Sequence, residues 1–173
     1  MSSGYFRFKQ FTVRQELAAF RVTTDSVLLG AWARIEDAGT ILDIGTGTGL
    51  LALMAAQRSA SRIVAIEPDQ ESFRQAGLNF AASPWKERIT LLNNSVQDYD
   101  PEGDAGFDAI ITNPPYFIGS LPNPDASKAR TRHTITLSHA DLINSVVRLL
   151  NHGGSFHLVL PVTEAEWFLS LAG

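Results

Sequence analysis

The chain alternates between two hydrophobic periods. Thr40-Ile41-Leu42-Asp43-Ile44-Gly45 is a short apolar run closed by a glycine, the pattern of a strand buried on both faces. Leu50 to Arg58 follows with helical composition, and Arg62-Ile63-Val64-Ala65-Ile66-Glu67 is a second strand. Asp69 opens a helix with an acidic first turn that extends to about Ala82, where the Ser83-Pro84 step ends it. Ile89 to Leu92 and Phe107 to Thr112 read as the third and fourth strands. A helix from about His139 to Leu150 closes at Asn151-His152-Gly153-Gly154, and Ser155 to Leu160 is a fifth strand stopped by Pro161. Strands that are apolar throughout and alternate with helices predict a parallel sheet covered on both faces, hence a Rossmann-like, doubly wound α/β domain. Residues 1–38 form a preamble and residues 39–173 the domain proper. The long irregular stretch, 117–138, is of a length that usually carries function.

Composition narrows the class. At 173 residues, 45% hydrophobic and 18% charged, the chain suits one globular domain. No apolar run approaches the roughly 20 residues that span a bilayer. Met1-Ser2-Ser3-Gly4-Tyr5 has neither region of a signal peptide. With no cysteine there is no disulfide framework and no thiolate metal site. A soluble, cytoplasmic protein without a metal is expected. The net charge of −4 excludes a generally basic nucleic-acid binder, yet charge is unevenly spread. Residues 1–34 hold Arg7, Lys9, Arg14, Arg21 and Arg34 against Glu16 and Asp25, whereas residues 64–104 are strongly acidic. One face could meet a polyanion.

Asp43-Ile44-Gly45-Thr46-Gly47-Thr48-Gly49 lies at the carboxyl end of the first strand, where open α/β sheets bind ligands. Three alternate glycines let the backbone turn tightly and approach a ligand without Cβ obstruction. The spacing breaks the G-x-G-x-x-G of a dinucleotide site, which argues against a nicotinamide dehydrogenase, and no P-loop lysine follows. Asp43 suits a ligand carrying an ammonium group, such as the methionine end of S-adenosylmethionine. Glu67 ends the second strand, where a carboxylate accepts hydrogen bonds from both ribose hydroxyls of an adenosyl group; alone it could equally be an acid favoured at a helix N-terminus. Thr46 and Pro68 join this cofactor set, and Ser95-Val96, after strand three, is placed to meet an adenine ring.

Asn113-Pro114-Pro115-Tyr116 follows strand four. This tetrapeptide resembles the motif of the amino-methyltransferases, which act on adenine N6, cytosine N4, guanine N2 or glutamine N5. Such a nitrogen has a delocalised lone pair and is a poor nucleophile. The Asn113 side-chain oxygen and the Pro114 carbonyl can each accept one N–H hydrogen bond, turning the lone pair toward the methyl group and supporting the charge that develops. Pro114 and Pro115 preset an extended geometry, and Tyr116 offers a flat face for an extruded base.

Phe6-Arg7-Phe8-Lys9-Gln10-Phe11 and Val22-Thr23-Thr24-Asp25-Ser26-Val27-Leu28-Leu29-Gly30-Ala31-Trp32 closely resemble the openings of the bacterial tRNA1(Val) (adenine-N6)-methyltransferase family. The likeness continues through the glycine loop, the Asn-Pro-Pro-Tyr motif and Arg132-His133 to strand five. It implies a class I methyltransferase fold and methyl transfer from S-adenosylmethionine to an adenine of tRNA, the one immediately 3′ of the anticodon of a valine tRNA. It also implies that Lys9, Gln10, Thr24 and Asp25 line the cofactor site near its methionine moiety; Thr24 or Asp25 would at the same time cap the helix carrying Leu28, Leu29 and Trp32. Lys128, Arg130, Arg132 and His133 stand where they could grip tRNA phosphates, or form a solvated basic loop. His139 and His152 read as caps or surface residues. The family carries lysine and glycine around Arg21-Val22-Thr23, a mild departure. Its fold also continues past strand five through a further helix and an antiparallel strand pair, so a fragment with an exposed sheet edge is expected. The alternatives are a glutamine-N5 methyltransferase of a release factor, whose separate helical N-terminal domain has no counterpart here, and a non-catalytic S-adenosylmethionine-binding partner subunit.

Overall fold

The computed structural model describes residues 4–101, 106–114 and 137–173. Five parallel strands form the centre: β3 (Thr40–Ile44), β4 (Arg62–Ile66), β5 (Ile89–Leu92), β6 (Phe107–Thr112) and β7 (Leu150–Leu158), in the spatial order β5-β4-β3-β6-β7. The order reverses between β3 and β6, whose carboxyl ends therefore bound a crevice.

Alternate side chains of the strands enter two separate layers. Ile41, Ile63, Ala109 and Ile111 pack under α1 (Thr24–Trp32), α2 (Leu50–Arg58) and α3 (Gln70–Ala81). Leu42, Ile44, Ile66 and Ile110 pack under α4 (His139–Leu149) and α5 (Val162–Ala172), where Leu142, Val146, Leu149 and Phe168 complete the core. The largest of these side chains are wholly buried, each stabilising the fold by roughly 1.5–3 kcal/mol. This is the doubly covered sheet that the apolar strands predict. The sheet is pinned at its amino end by Asp108, whose carboxylate accepts from the amides of Gly39 and Thr40 and from the Asn151 side chain. Those bonds, Asn151 foremost, hold the Asp108 carboxyl below the usual carboxylate range.

Four features differ from the sequence expectations. A hairpin of β1 (Tyr5–Arg7) and β2 (Thr12–Arg14) opens the chain; strands of three residues are too short to show a period. Its aromatic residues form a stack, Phe6 to Phe8 to Phe11, that ends on Trp85 beyond α3. β7 begins at Leu150, directly after α4, and reaches its regular register at Ser155 through an irregular stretch in which Gly153 takes φ +79°. β7 ends at Leu158, before the expected stop at Pro161, and Pro161 is instead the N-cap of a further helix, α5. His139 is neither a cap nor exposed: Ser138 and Asp141 form the capping box of α4, and the imidazole is buried against Trp167 and Phe168. His152 is exposed.

The segment after the hairpin is held by a polar stripe on α3. Ser72, Gln75 and Asn79 are all buried, although they share the inward face of the helix with Ala76 and Phe80. Ser72 Oγ accepts from the Ala19 amide and Gln75 Oε1 from the Leu17 amide. Asn79 accepts from the Arg14 amide and donates to the carbonyls of Arg14 and Thr48, so one side chain joins the preamble to the glycine loop. These backbone groups have left water and must be paired. Asn79→Leu, which fills the volume without the bonds, is expected to lower the urea unfolding free energy by about 2–4 kcal/mol and to speed exchange of the Arg14 amide. Wild-type values for both would remove Asn79 from this role.

Candidate active site

The crevice at the carboxyl ends of β3 and β6 is built around the loop Gly45–Gly49. Gly45, Gly47 and Gly49 adopt φ of +66°, +56° and +84°, a region that strongly favours glycine. The three have different surroundings. A Cβ at Gly45 would meet nothing within 4 Å and one at Gly47 only the Gly45 carbonyl oxygen at 4.0 Å, so both backbones border open space. A Cβ at Gly49 would stand 2.5 Å from the Phe80 ring, so that glycine allows α2 and α3 to close together. Gly45 and Gly47 thus have bare backbone beside open space, and Gly49 serves packing.

Two carboxylates hold the loop from below. Asp43 is wholly buried; its Oδ2 accepts from the Thr46 hydroxyl at 2.5 Å and from the Ala52 amide at 3.0 Å. Ala52 lies in the first turn of α2, whose N-cap is Gly49 and offers no side chain, so Asp43 supplies the missing cap from the strand. Its Oδ1 is enclosed and has no hydrogen-bond partner. Burial pushes the Asp43 carboxyl up to about 7; the bonds from Thr46 and Ala52 oppose this, and the charge of Glu67 adds to it. Glu67, also buried, accepts from the Gly47 amide at 2.8 Å through one oxygen and from the Asp69 amide at 2.9 Å through the other. Burial raises its carboxyl as well, against those two amide bonds. A carboxylate offers about four acceptor sites, so each Glu67 oxygen retains capacity for a hydroxyl. Pro68 beside it is exposed.

After β5, Ser95 Oγ donates to Asp98 at 2.7 Å, and Val96 is buried in the core layer beneath α4. Arg148 of α4 donates to the carbonyls of Val96 and Tyr99, fixing this turn at the edge of the crevice. Nothing in the sequence marks Arg148 for that task.

At the end of β6 the Thr112 hydroxyl, fully buried, donates to the Ile44 carbonyl at 2.8 Å. The next residue, Asn113, is therefore held one strand away from the glycine loop, and its side-chain amide donates to Ser26 Oγ of α1 at 2.7 Å. The N-cap of α1 is Thr23, which accepts from the Ser26 amide; the expected caps, Thr24 and Asp25, are instead the first two residues of the helix. Lys9 and Gln10 are exposed in the turn of the hairpin. The structure thus brings Asp43, the glycine loop, Glu67 and Asn113 to one edge of the sheet, with Pro114 following and Ser95-Val96 alongside. Pro115, Tyr116, Lys128, Arg130, Arg132 and His133 lie outside the described residues.

Comparison with known proteins agrees with this geometry. Residues 23–164 match the family model described as the methyltransferase small domain. The chain is 46% identical over 172 residues to the tRNA1(Val) (adenine(37)-N6)-methyltransferase of Parabacteroides distasonis, covering 99% of this chain and 73% of that protein. It is 46% identical to the protein of the same name from Dyadobacter fermentans and 44% identical to that from Tolumonas auensis, spanning 70% and 72% of their lengths. The chain belongs to the tRNA1(Val) (adenine-N6)-methyltransferase family. Among solved structures it resembles an S-adenosylmethionine-dependent O-methyltransferase of Thermotoga maritima (TM-score 0.62, 19% identity, 88% of this chain and 49% of that one). It likewise resembles a predicted O-methyltransferase of Agrobacterium tumefaciens (TM-score 0.64, 20% identity, 87% and 67%). These likenesses establish the class I methyltransferase fold.

The family's cofactor is S-adenosylmethionine, and the crevice fits it. Bare backbone at Gly45 and Gly47, the spare acceptor capacity of Glu67 and the unpartnered buried Oδ1 of Asp43 match a ligand with a ribose diol and a cationic end.

The raised Asp43 carboxyl has a measurable consequence. Between the ordinary aspartate value near 4 and about 7 the folded state binds a proton that the unfolded chain has released. The Asp43 contribution to stability is therefore complete below about pH 4 and lost as pH rises through 7, with a slope approaching about 1.4 kcal/mol per unit. Urea unfolding of the ligand-free protein at pH 5 and pH 7 should show a smaller loss for Asp43→Asn than for wild type. Equal losses in the two would contradict the burial-driven shift.

Proposed function

We propose that this chain transfers the methyl group of S-adenosylmethionine to the exocyclic N6 of an adenine in tRNA, the adenine 3′ of the anticodon of valine tRNA. The observation that carries the reading is Asn113, held one residue beyond the Thr112–Ile44 bond and thus beside the glycine loop. An amide acceptor at that place can fix an amino group whose own lone pair is delocalised, which is the difficulty of this chemistry.

The sulfonium supplies an activated methyl group and leaves as a neutral thioether, so no strong general base is required. The chain's own residues bind and orient. In this reading Glu67 takes the ribose hydroxyls on its unused lone pairs, and Gly45 and Gly47 let the backbone lie against the methionine portion. Asp43 acts from beneath the loop: it fixes Thr46 and the start of α2, and its negative charge favours an ammonium group above. Ser95 and Val96 border the adenine ring, while the preamble, with Lys9, Gln10 and Thr24, closes the methionine end. The Asn113 oxygen and the Pro114 carbonyl accept the two N–H bonds of the substrate, preset by Pro115. Tyr116 stacks on the extruded base, and Lys128, Arg130 and Arg132 meet phosphates. The family relatives support tRNA as substrate by their names, and the basic preamble suits a polyanion.

Labelled methyl transfer to bulk tRNA and to a protein extract tests this. Label is expected in tRNA. Asn113→Ala should reduce it by at least about a hundredfold, the usual cost of removing a transition-state hydrogen-bond partner, with cofactor affinity largely kept. Label in protein would favour glutamine methylation, label in neither a binding subunit. Wild-type transfer by Asn113→Ala would overturn the mechanism.

A further inference from the structure

Asn113 does not stand alone at the end of β6. Its amide nitrogen donates to Ser26 Oγ at 2.7 Å across 87 residues of sequence, and Ser26 Oγ lies 2.9 Å from Thr23 Oγ1. Thr23 is itself fixed as the N-cap of α1 by the Ser26 amide. The helix is held in turn at its far end. Gly30 lets α1 close onto α2, since a Cβ there would stand 2.5 Å from Met54 sulfur, and Arg58 donates to the carbonyls of Gly30 and Ala33. Ser26 is therefore a hydroxyl on a rigid element, aimed at a side chain that must keep one orientation.

From this we infer that Ser26 is a positioning residue for methyl transfer, selecting the working orientation of the Asn113 amide. The inference rests on the role proposed for Asn113. An asparagine side chain presents two donors at one end and an acceptor at the other, and a turn of its last torsion exchanges them. An amino substrate brings N–H groups, so only the orientation with oxygen toward the substrate is productive. By receiving an N–H from Asn113, Ser26 draws the donor end toward α1 and turns the oxygen end away from it. Ser26 Oγ also shares a hydrogen bond with Thr23 Oγ1, so the three side chains are joined in one hydrogen-bonded chain. No substrate contact is required of Ser26; it acts through Asn113.

The experiment compares wild type, Ser26→Ala and Ser26→Thr in steady-state methyl transfer to unmodified tRNA, alongside cofactor binding and the side-chain amide signals of Asn113 by NMR. Loss of one net hydrogen bond of orientation corresponds to roughly a five- to tenfold fall in kcat for Ser26→Ala. KM for tRNA, cofactor affinity and the unfolding midpoint should stay near wild type, because Thr23 keeps its cap bond to the residue-26 amide. Ser26→Thr, which retains the hydroxyl, should recover kcat to within about twofold. The Asn113 amide protons should exchange slowly in wild type and in Ser26→Thr but faster in Ser26→Ala. An unchanged kcat in Ser26→Ala, a loss that threonine does not restore, or unaltered Asn113 amide exchange would overturn the inference. Absence of tRNA methylation by wild type would instead overturn the proposed function, and the amide exchange would still decide whether Ser26 orients Asn113.

Discussion

Everything at this crevice depends on a loop that must be open on top and firm underneath. Gly45 and Gly47 have bare backbone beside open space and no side chains with which to fix themselves. Their shape is imposed instead by two carboxylates at the ends of adjacent strands, Asp43 through Thr46 and Ala52, and Glu67 through the amide of Gly47. Both carboxylates are buried, and burial opposes their ionisation. The bonds that hold the loop therefore offset a desolvation cost, and the same bonds give the site a preformed acidic floor suited to a cationic ligand.

The remaining elements carry that constraint outward. Thr112 ties β6 to β3 at the level of the loop, which sets Asn113 beside it. Asn79 ties the loop to the preamble through Thr48 and Arg14, and Ser26 brings the preamble's helix to Asn113. The preamble thus touches both the cofactor-loop side and the Asn113 side of the crevice. A segment set apart from the domain by its sequence pattern is joined to it by these bonds and by Phe11, Val13, Leu29, Ala33 and Ile35, which are buried in the core layer of α1 to α3.

What was legible in the sequence follows from what leaves a period. β3 to β6 and α2 read correctly because buried parallel strands are continuous apolar runs, each ended here by a glycine or a polar residue. The positions of Glu67 and Asn113 followed, since each directly succeeds such a run, and Asp43 stood out as the one acid within the first. The β1–β2 hairpin and the early start of β7 did not, because three residues carry no period and the irregular turn at Gly153 interrupts one. Thr23, one residue before the expected caps, shows that neighbouring hydroxyl and acid side chains compete for one position and that backbone direction decides. Ser72, Gln75 and Asn79 recur at helical spacing beside Ala76 and Phe80, but polar residues on a helix read as solvent-facing until the segment that covers them is known. Gly49 is of the same kind: its motif position suggests a ligand, and only the Phe80 ring reveals a packing role.

The central claim is that this edge of the sheet methylates a conjugated amino nitrogen of adenine. Its most direct test is the identity of the product. Unmodified valine tRNA would be incubated with the protein and S-adenosylmethionine carrying a labelled methyl group, digested to nucleosides and resolved by mass spectrometry. The account predicts label as N6-methyladenosine, confined to the nucleotide 3′ of the anticodon. Label on a ring nitrogen, on ribose or on another base would contradict it.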